Sequence, residues 1–235
     1  MTRQETTIGV LALQGAFIEH IQHLELAVNS SAYDSIDFDF IEVRTETELS
    51  RCDGLIIPGG ESTSISLIAQ RTNLLEPLMR FVKDEKPIWG TCAGLIFLSK
   101  QIINGKPGQA ILGGMDIQVE RNAFGRQLDS FKVDLDFSGF TSNKVDAFPT
   151  IFIRAPVISK ILAHKGQQER DVINSRNDYI NNSKVEVLYK LENGLIVAVR
   201  QGNKLGTSFH PELSHDCRFH KWFIDEFVLK SQSTV

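Results

Sequence analysis

The residue best placed to act as a nucleophile is Cys92, in the segment Gly90–Gly94, which reads G-T-C-A-G. The spacing G-x-nucleophile-x-G is typical of a tight strand-to-helix turn, where small neighbours permit a strained backbone at the nucleophile. The N-terminus of the following helix favours the thiolate, which is the reactive form of cysteine. The backbone N–H of Ala93 is then the expected donor to an oxyanion. A small buried cysteine between glycines is the structural alternative, and Cys52 and Cys217, which lack this setting, are expected to be structural.

A base and an orienting group for such a nucleophile occur together in the segment Ser208–Glu212, which reads S-F-H-P-E. His210 follows an apolar strand, and α/β enzymes place their sites beyond the carboxyl ends of strands. Residues two apart in extended chain face the same side, so Glu212 can hold the imidazole of His210. The segment therefore predicts a triad in the order Cys92, His210, Glu212.

Metal binding is a competing interpretation of this region, because His210, Glu212, His215 and Cys217 lie within a few residues of one another. Zinc sites use such side chains, but this run lacks the paired ligand spacing of a zinc site and no second ligand cluster occurs elsewhere. We therefore expect no metal and no cofactor. The remaining histidines are expected to be ordinary surface or helix-face residues: His20, His23, His164 and His220.

A glycine loop, Pro58–Thr63 (P-G-G-E-S-T), lies between a predicted strand and a predicted helix. It lacks the lysine of a P-loop and the spacing of a dinucleotide fingerprint, which argues against a phosphate site. Beside a nucleophilic cysteine, the N–H of Gly60 is the expected second oxyanion donor. Ser62 and Thr63 could instead serve only as helix N-caps.

Two arginines, Arg121 and Arg154, each end an apolar strand. A guanidinium can pair with a carboxylate through two parallel hydrogen bonds, so either arginine could hold the α-carboxylate of an amino-acid substrate. A surface ion pair is the alternative for each of them.

The elements that must position these residues alternate between strand and helix in the first half of the chain. The predicted strands there are 8–13, 38–43, 55–58 and 87–90, and the predicted helices are 17–28, 62–69, 74–83 and 95–101. After Gly113 the pattern is β, with strands at 117–120, 131–135, 150–154, 185–191, 195–199 and 205–209 before a last helix at 215–229. This order predicts an α/β fold, with a mostly parallel sheet between two helical layers and added antiparallel strands.

The core stripes of two helices can be predicted from apolar spacing: Ile18, Ile21, Leu24 and Val28 in the first helix, and Phe219, Trp222, Phe223 and Phe227 in the last. The polar segment 165–184 lacks such a stripe and predicts a mobile surface insertion. No repeat or linker divides residues 1–235, so one domain is expected.

Composition excludes several functional classes. Apolar residues make up 42% of the 235 residues and the formal net charge is −4, without the basic patch of a nucleic-acid-binding protein. The N-terminal apolar run is too short for a signal or membrane-spanning segment. Three cysteines in this context predict reduced thiols in the cytoplasm, with the nucleus as the other possibility.

Six motifs in order carry a family resemblance: L-A-L-Q-G-A at 11–16, P-G-G-E-S-T at 58–63, G-T-C-A-G-L-I at 90–96, R-N-A-F-G-R-Q at 121–127, F-I-R-A-P at 152–156 and S-F-H-P-E-L at 208–213. Together they resemble the glutaminase subunit of the deoxyxylulose-phosphate-independent pyridoxal 5′-phosphate synthase. That subunit belongs to the class I, triad-type glutamine amidotransferases, which have a flavodoxin-like three-layer fold. The third and sixth motifs are shared by the wider class, whereas the first, fourth and fifth point to this one family.

The resemblance implies roles for individual residues. Cys92, His210 and Glu212 would form the triad, and glutamine would be contacted by Gly60, Glu61, Ser62, Arg121, Ile153 and Arg154. Ammonia would pass to a separate (β/α)₈-barrel synthase in a hetero-oligomer, and Gln14-Gly15 would be a switch that responds to it, unless this segment only turns the chain. The alternatives are a γ-glutamyl hydrolase or cysteine peptidase on the same fold, and an inactive regulator that binds a partner.

Overall fold

The computed structural model describes residues 3–31, 33–121, 130–142, 145–163 and 172–233. Three parts of the sequence predictions lie outside these ranges: residues 122–127 of the R-N-A-F-G-R-Q motif, His164, and residues 165–171 of the polar segment.

The first half of the chain alternates between strands and helices. Its elements are β1 Gln4–Leu11, α1 Phe17–Asn29, β2 Ile36–Val43, α2 Glu46–Ser50, β3 Gly54–Ile57, α3 Ser62–Arg71, α4 Leu75–Lys83, β4 Ile88–Thr91, α5 Ala93–Leu98 and β5 Ser99–Ile103. Strands β3 and β4 are buried along their whole length, as expected for strands covered on both faces. The α/β alternation predicted from the sequence is confirmed.

The second half is mostly β. Its elements are β6 Met115–Glu120, β7 Ser130–Leu135, α6 Ser138–Thr141, β8 Phe148–Ile153, β9 Val157–Ile161, β10 Val172–Asn174, β11 Val185–Lys190, β12 Ile196–Gln201, β13 Lys204–Thr207, a 3₁₀ turn Pro211–Leu213, α7 Arg218–Phe223, a π-helical segment Ile224–Leu229 and α8 Lys230–Gln232. Strands β7 and β8 form a separate antiparallel pair beside the main sheet.

Within the described residues, the main sheet has the strand order β10-β5-β6-β9-β12-β13-β4-β3-β1-β2, with β11 added to β12. The block β13-β4-β3-β1-β2 is parallel throughout, so the carboxyl ends of its strands meet at one edge. Strands β9, β11 and β12 add antiparallel pairings on the other side of β13. This placement brings the turns after β1, β3, β4 and β13 together, and these turns carry the predicted site.

Alternate residues along the central strands enter two different cores. Ile56 and Trp89 lie in a cluster with α1 and α7 on one face of the sheet. Leu55 and Ile88 lie in a second cluster with α3, α4 and α5 on the opposite face. The protein therefore has the three-layer arrangement that the sequence predicted.

The predicted core stripe of the last helix is confirmed, because Phe219, Trp222, Phe223 and Phe227 are all buried. The predicted stripe of α1 is confirmed at three of its four positions, because Leu24 is buried and Ile21 and Val28 pack against the core. Ile18 is 51% exposed, and the buried face also carries His20, His23 and Ala27.

Several predicted boundaries also need correction. The helix predicted to reach residue 101 ends at Leu98, where Ser99 turns to extended backbone and starts β5. The short elements α2, β9 and β10 were not predicted. The last helix begins at Arg218 rather than at residue 215, and it widens to π geometry at Ile224.

The second part of the polar segment 165–184 is attached to the body of the protein. Val172–Asn174 pairs with β5, and Asn177 donates a hydrogen bond to the carbonyl of Leu112 at 2.8 Å. Tyr179 is 8% exposed, and its hydroxyl donates to Glu85 at 2.9 Å. The prediction of a mobile surface insertion therefore does not fit residues 172–184, which form an added strand and a packed loop.

Among the described residues, no helix combines the length and apolar character needed to cross a membrane.

Candidate active site

Cys92 lies at the turn between β4 and α5, with backbone angles φ 47° and ψ −103°. A positive φ is uncommon for a residue with a side chain and is typical of strained functional turns. The N–H of Cys92 donates to the carbonyl of Thr207 in the neighbouring strand at 2.8 Å, and its own carbonyl accepts from Ile96. The conformation predicted from the G-x-C-x-G spacing is therefore present and is fixed by bonds on both sides.

The two flanking glycines are required because backbone atoms approach them closely. A Cβ on Gly90 would lie 2.6 Å from the carbonyl oxygen of Gly94. A Cβ on Gly94 would lie 1.9 Å from the carbonyl oxygen of Ile57. Neither obstacle is a flexible side chain, so only glycine lets α5 pack this closely onto the sheet.

His210 reaches the same edge of the sheet from the residues that follow β13. Its N–H donates to the carbonyl of Ile151 in β8 at 2.8 Å, and its ring lies beside the thiol of Cys92. The Nδ1 atom of His210 lies 2.7 Å from Oε1 of Glu212. Pro211–Leu213 form a 3₁₀ turn rather than the extended chain assumed from the sequence, and this turn brings the carboxylate to the imidazole.

The charges of this pair are set by opposing effects. Burial alone would lower the pKa of His210, but its hydrogen bonds with Cys92 and Glu212 raise that pKa to about 10. Burial would raise the pKa of Glu212, and the neighbouring His20 together with the hydrogen bond from His210 lower it. The arrangement favours a charged imidazolium beside an ionised carboxylate, which is the base that a cysteine nucleophile needs.

Two further histidines stand behind the carboxylate, and the sequence reasoning treated both as ordinary. His20 and His220 are fully buried, and His20 Nε2 lies 3.4 Å from Oε2 of Glu212. Burial lowers the pKa of His20 to about 4 and that of His220 well below its ordinary value. The sequence did contain one sign that His20 is buried. The spacing of His20 and His23 puts both on the same face of α1 as Leu24 and Ala27.

A cleft of about 370 Å³ opens onto Cys92 and His210. The residues that line it are Gln14, Gly60, Glu61, Ser62, Cys92, Ala93, Ile96, Arg121, Ile153, Arg154, Pro156 and His210. The cleft therefore brings together every predicted substrate and oxyanion residue. Of the other predicted residues, Glu212 lies behind His210, and Gly15 contacts the cleft loop from outside.

One wall of the cleft is organised by Glu61. Glu61, and not Ser62 or Thr63, is the N-cap of α3: its carboxylate accepts hydrogen bonds from the N–H groups of Thr63 at 3.0 Å and Ser64 at 2.7 Å. The same carboxylate pairs with Arg121 at 3.2 Å. Burial would raise the pKa of Glu61, but the hydrogen bonds from Ser64 and Thr63 lower it to about 2. Glu61 therefore stays charged and holds Arg121 at the cleft.

Gln109 is a buried polar residue of this wall that the sequence reasoning missed. Its amide nitrogen donates to the hydroxyl of Ser62 at 3.2 Å, and its oxygen lies 3.5 Å from Arg121. No motif surrounds Gln109, and the loop after β5 carries no other sign of a site, so the sequence offered no signal for it.

The opposite wall is formed where β8 ends. Arg154 follows this strand with φ 43° and is exposed, and Ile153 beside it is also exposed at the cleft. The left-handed backbone at Arg154 turns the chain sharply before Pro156 and β9. Arg121 and Arg154 thus approach the cleft from two different strands.

Gln14 and Gly15 contact the glycine loop directly. The side-chain oxygen of Gln14 accepts a hydrogen bond from the N–H of Glu61 at 2.7 Å. Gly15 has φ 100°, and a Cβ there would lie 1.8 Å from the carbonyl oxygen of Gly59. A change in the Gln14-Gly15 backbone would therefore be transmitted to the loop that carries Gly60.

The other two cysteines lie away from the cleft. Cys52 is buried, and burial raises the pKa of its thiol to about 12. Cys217 precedes α7. Within the described ranges, no group of three or more histidine, cysteine, aspartate or glutamate side chains is arranged to hold a metal ion.

Comparison with known proteins agrees with this geometry. A chain named probable pyridoxal 5′-phosphate synthase subunit SNO3, from Saccharomyces cerevisiae, is 47% identical over 237 residues, covering 96% of this chain and 98% of the relative. Pyridoxal 5′-phosphate synthase subunit PdxT from Dehalococcoides mccartyi is 45% identical over 217 residues, covering 92% and 95%. A crystal structure described as a glutamine amidotransferase matches with a TM-score of 0.71 at 38% identity, covering 93% of this chain and 97% of that one. Since the profile of the SNO glutamine amidotransferase family matches residues 10–229, the chain belongs to that family.

Proposed function

We propose that this chain hydrolyses L-glutamine to L-glutamate and ammonia through Cys92, His210 and Glu212. The observation that carries the proposal is the connected set at the cleft: a cysteine at φ 47°, an imidazole beside its thiol, and a carboxylate 2.7 Å from that imidazole. Family membership and the relatives named as synthase subunits support the same activity.

The chemistry follows from the charge states. The Cys92 thiolate attacks the side-chain amide carbon of glutamine, and the N–H groups of Gly60 and Ala93 receive the oxyanion. His210 gives its proton to the leaving nitrogen, so that ammonia departs and a thioester forms. His210, now neutral, takes a proton from water, which attacks the thioester and releases glutamate and the thiolate. Glu212 keeps the imidazole oriented and stabilises its charged form.

Substrate selection is assigned to the two walls of the cleft. Arg121 and Arg154 hold the α-carboxylate, because they supply guanidinium groups from opposite sides. Glu61 orients Arg121 and offers an acceptor for the α-ammonium group. Ser62 and Ile153 complete the contacts. A cleft of about 370 Å³ suits a free amino acid better than a bulky γ-glutamyl peptide.

We further infer that ammonia passes to a partner chain, a pyridoxal 5′-phosphate synthase of (β/α)₈-barrel type. The support is that the relatives are named as subunits of pyridoxal 5′-phosphate synthase. Docking of the barrel would reposition Gln14-Gly15, which contacts the Gly59-Gly60 loop, and so complete the oxyanion donors.

The first experiment compares ammonia release from glutamine with cleavage of γ-glutamyl peptides, with and without the barrel synthase. Glutamine is expected to be preferred, and Cys92→Ala is expected to abolish turnover while Cys217→Ala, outside the cleft, keeps it. Preferential cleavage of the peptides would establish the γ-glutamyl hydrolase instead. Absence of any turnover in the complex would establish the inactive regulator.

A second experiment isolates the switch. A side chain at Gly15 would collide with the carbonyl of Gly59, so a Gly15 variant would also disturb the resting loop. Gln14→Leu removes the bond to the Glu61 N–H and places no atom against the Gly59 carbonyl. The synthase is expected to activate the parent strongly and the Gln14→Leu variant weakly, although both dock. Equal activation of the two chains would refute the switch.

A further inference from the structure

The carboxylate of Glu212 is buried on all sides, and its two oxygens are held unequally. Oε1 receives the hydrogen bond from His210 at 2.7 Å. Oε2 has no hydrogen-bond partner among the described residues, and His20 Nε2 lies 3.4 Å from it. A buried carboxylate oxygen without a donor is unfavourable, so the protonation of His20 matters for Glu212.

His20 is connected in the other direction to His220. Its Nδ1 lies 2.8 Å from His220 Nε2, while its Nε2 lies 3.3 Å from the hydroxyl oxygen of Thr91. The Nδ1 atom of His220 is buried and has no partner within the described residues. Both rings are fully buried, and burial keeps both neutral at pH 7. Each ring therefore carries one proton, which can be on either Nδ1 or Nε2.

Two arrangements of these protons keep the hydrogen bond between His20 and His220, and they differ in what they leave unpaired. If His220 carries its proton on Nε2, it donates to His20 Nδ1, and its own Nδ1 is left as an unpaired acceptor. His20 then carries its proton on Nε2 and directs it toward Glu212 and Thr91. In the opposite arrangement, a buried N–H of His220 would have no acceptor, and a lone pair of His20 would face the carboxylate. Because a buried N–H without an acceptor and a lone pair facing an anion are both unfavourable, the first arrangement is preferred.

We propose that His20 is a positioning residue for the triad: as the Nε2–H tautomer, selected by His220, it holds the second oxygen of Glu212 while His210 holds the first. This proposal rests on the function proposed above. The contact fixes the carboxylate plane and favours its ionised form, and the ionised carboxylate in turn stabilises the His210 imidazolium. The titratable groups that face His20 are Glu212, His210, His23 and His220.

The test compares His20→Leu, which removes the donor, with His20→Gln, whose amide N–H can reach the same oxygen. His20→Leu is expected to lower kcat by roughly tenfold to a hundredfold, the range for one hydrogen bond to a charged group, with little change in KM. Loss of the donor raises the pKa of Glu212, so the acidic limb of the kcat profile is expected to move to higher pH. His20→Gln is expected to recover most of the rate and the parent profile.

His23→Gln is the matched control, because His23 lies on the same buried face of α1 but bonds the backbone carbonyls of Glu19 and Ser214. Its pH profile is expected to follow the parent. A parent-like profile and rate in His20→Leu would overturn the proposal, as would a shift of the same size in His23→Gln.

Two readouts separate this proposal from the proposed function. Nitrogen NMR of the parent reports which ring nitrogen of His20 carries the proton, and a protonated Nδ1 would overturn the proposal. Alkylation of Cys92 by iodoacetamide as a function of pH reports the triad without any substrate. If the parent fails to hydrolyse glutamine, the proposed function fails, while the NMR result and the alkylation profiles of His20→Leu and His20→Gln still decide the role of His20.

Discussion

The position of His210 depends on the absence of a side chain at Gly59, and this can be tested by one added methyl group. A Cβ at Gly59 would lie 2.3 Å from Cε1 and 2.8 Å from Nδ1 of the His210 ring. The backbone of Gly59 is not left-handed, so alanine introduces no strain of its own. The three atoms nearest to the added methyl group in Gly59→Ala all belong to the His210 ring.

The size of the effect follows from these distances. Carbon atoms in ordinary contact are at least 3.4 Å apart, so the ring must retreat by about 1.1 Å or rotate away from the 2.7 Å bond to Glu212. A displacement of about 1 Å at a reacting group can lower the rate by about a hundredfold, which is about 2.7 kcal/mol in activation free energy. We expect Gly59→Ala to reduce kcat by that order.

The assay is steady-state glutamine hydrolysis in the presence of the synthase, with thermal unfolding measured in parallel. Gly139→Ala is the matched control, because a Cβ there meets no atom within 4 Å and the residue lies in α6, away from the cleft. Its rate is expected to equal that of the parent. A Gly59→Ala enzyme with parent kcat would refute the reasoning, since it would show that the ring tolerates the displacement.

Three further predictions concern single side chains. Glu212→Gln keeps the shape of the side chain but removes the charge beside His210. We expect kcat to fall by orders of magnitude, but less than for His210→Ala. Near-parent turnover of Glu212→Gln would contradict the orienting role of Glu212. Arg154→Ala is expected to raise KM for glutamine by roughly tenfold, and a glutamine derivative with a blocked α-carboxylate should be a poor substrate for the parent. Equal turnover of glutamine and this derivative would show that the arginines do not bind the α-carboxylate. Burial lowers the pKa of Lys204 from its ordinary value of 10.5 to about 7. Between these two pH values the unfolded chain binds more protons than the folded chain, so the free energy of unfolding rises with pH in this window. Lys204→Met is expected to flatten that slope by up to about 1.4 kcal/mol per pH unit in urea titrations, and an unchanged slope would contradict it.

The parts of the site that the sequence could predict are those encoded by local spacing. The turn at Cys92 was predictable because the G-x-C-x-G spacing is typical of a tight strand-to-helix turn, and a Cβ on Gly90 or Gly94 would collide with backbone atoms. The proximity of His210 and Glu212 was predictable because they are two positions apart in the chain and directly follow the end of a predicted strand. Gln109 and His20 were not predictable, because they reach the site through contacts between segments that are far apart in the chain.

The errors in the fold have the same origin. The buried face of α1 was predicted incompletely because His20 and His23 are polar residues that lie inside, with partners on α7 and near the 3₁₀ turn. The helix predicted to reach residue 101 failed because Ser99–Ile103 pairs with β6, a tertiary contact that overrides the apolar pattern. Helical and extended apolar runs cannot be separated by periodicity when both are fully buried.

The strand order has a consequence for how the chain is made. β13 occupies the centre of the sheet between β4 and β12, yet it leaves the ribosome more than a hundred residues after β4. Until it arrives, one edge of β4 lacks its partner, and an open apolar edge is a site for pairing with other chains. The N–H of Cys92 also lacks the Thr207 carbonyl that fixes it. A nascent or truncated chain that ends before residue 204 therefore has an incomplete turn at Cys92 and lacks both His210 and Glu212.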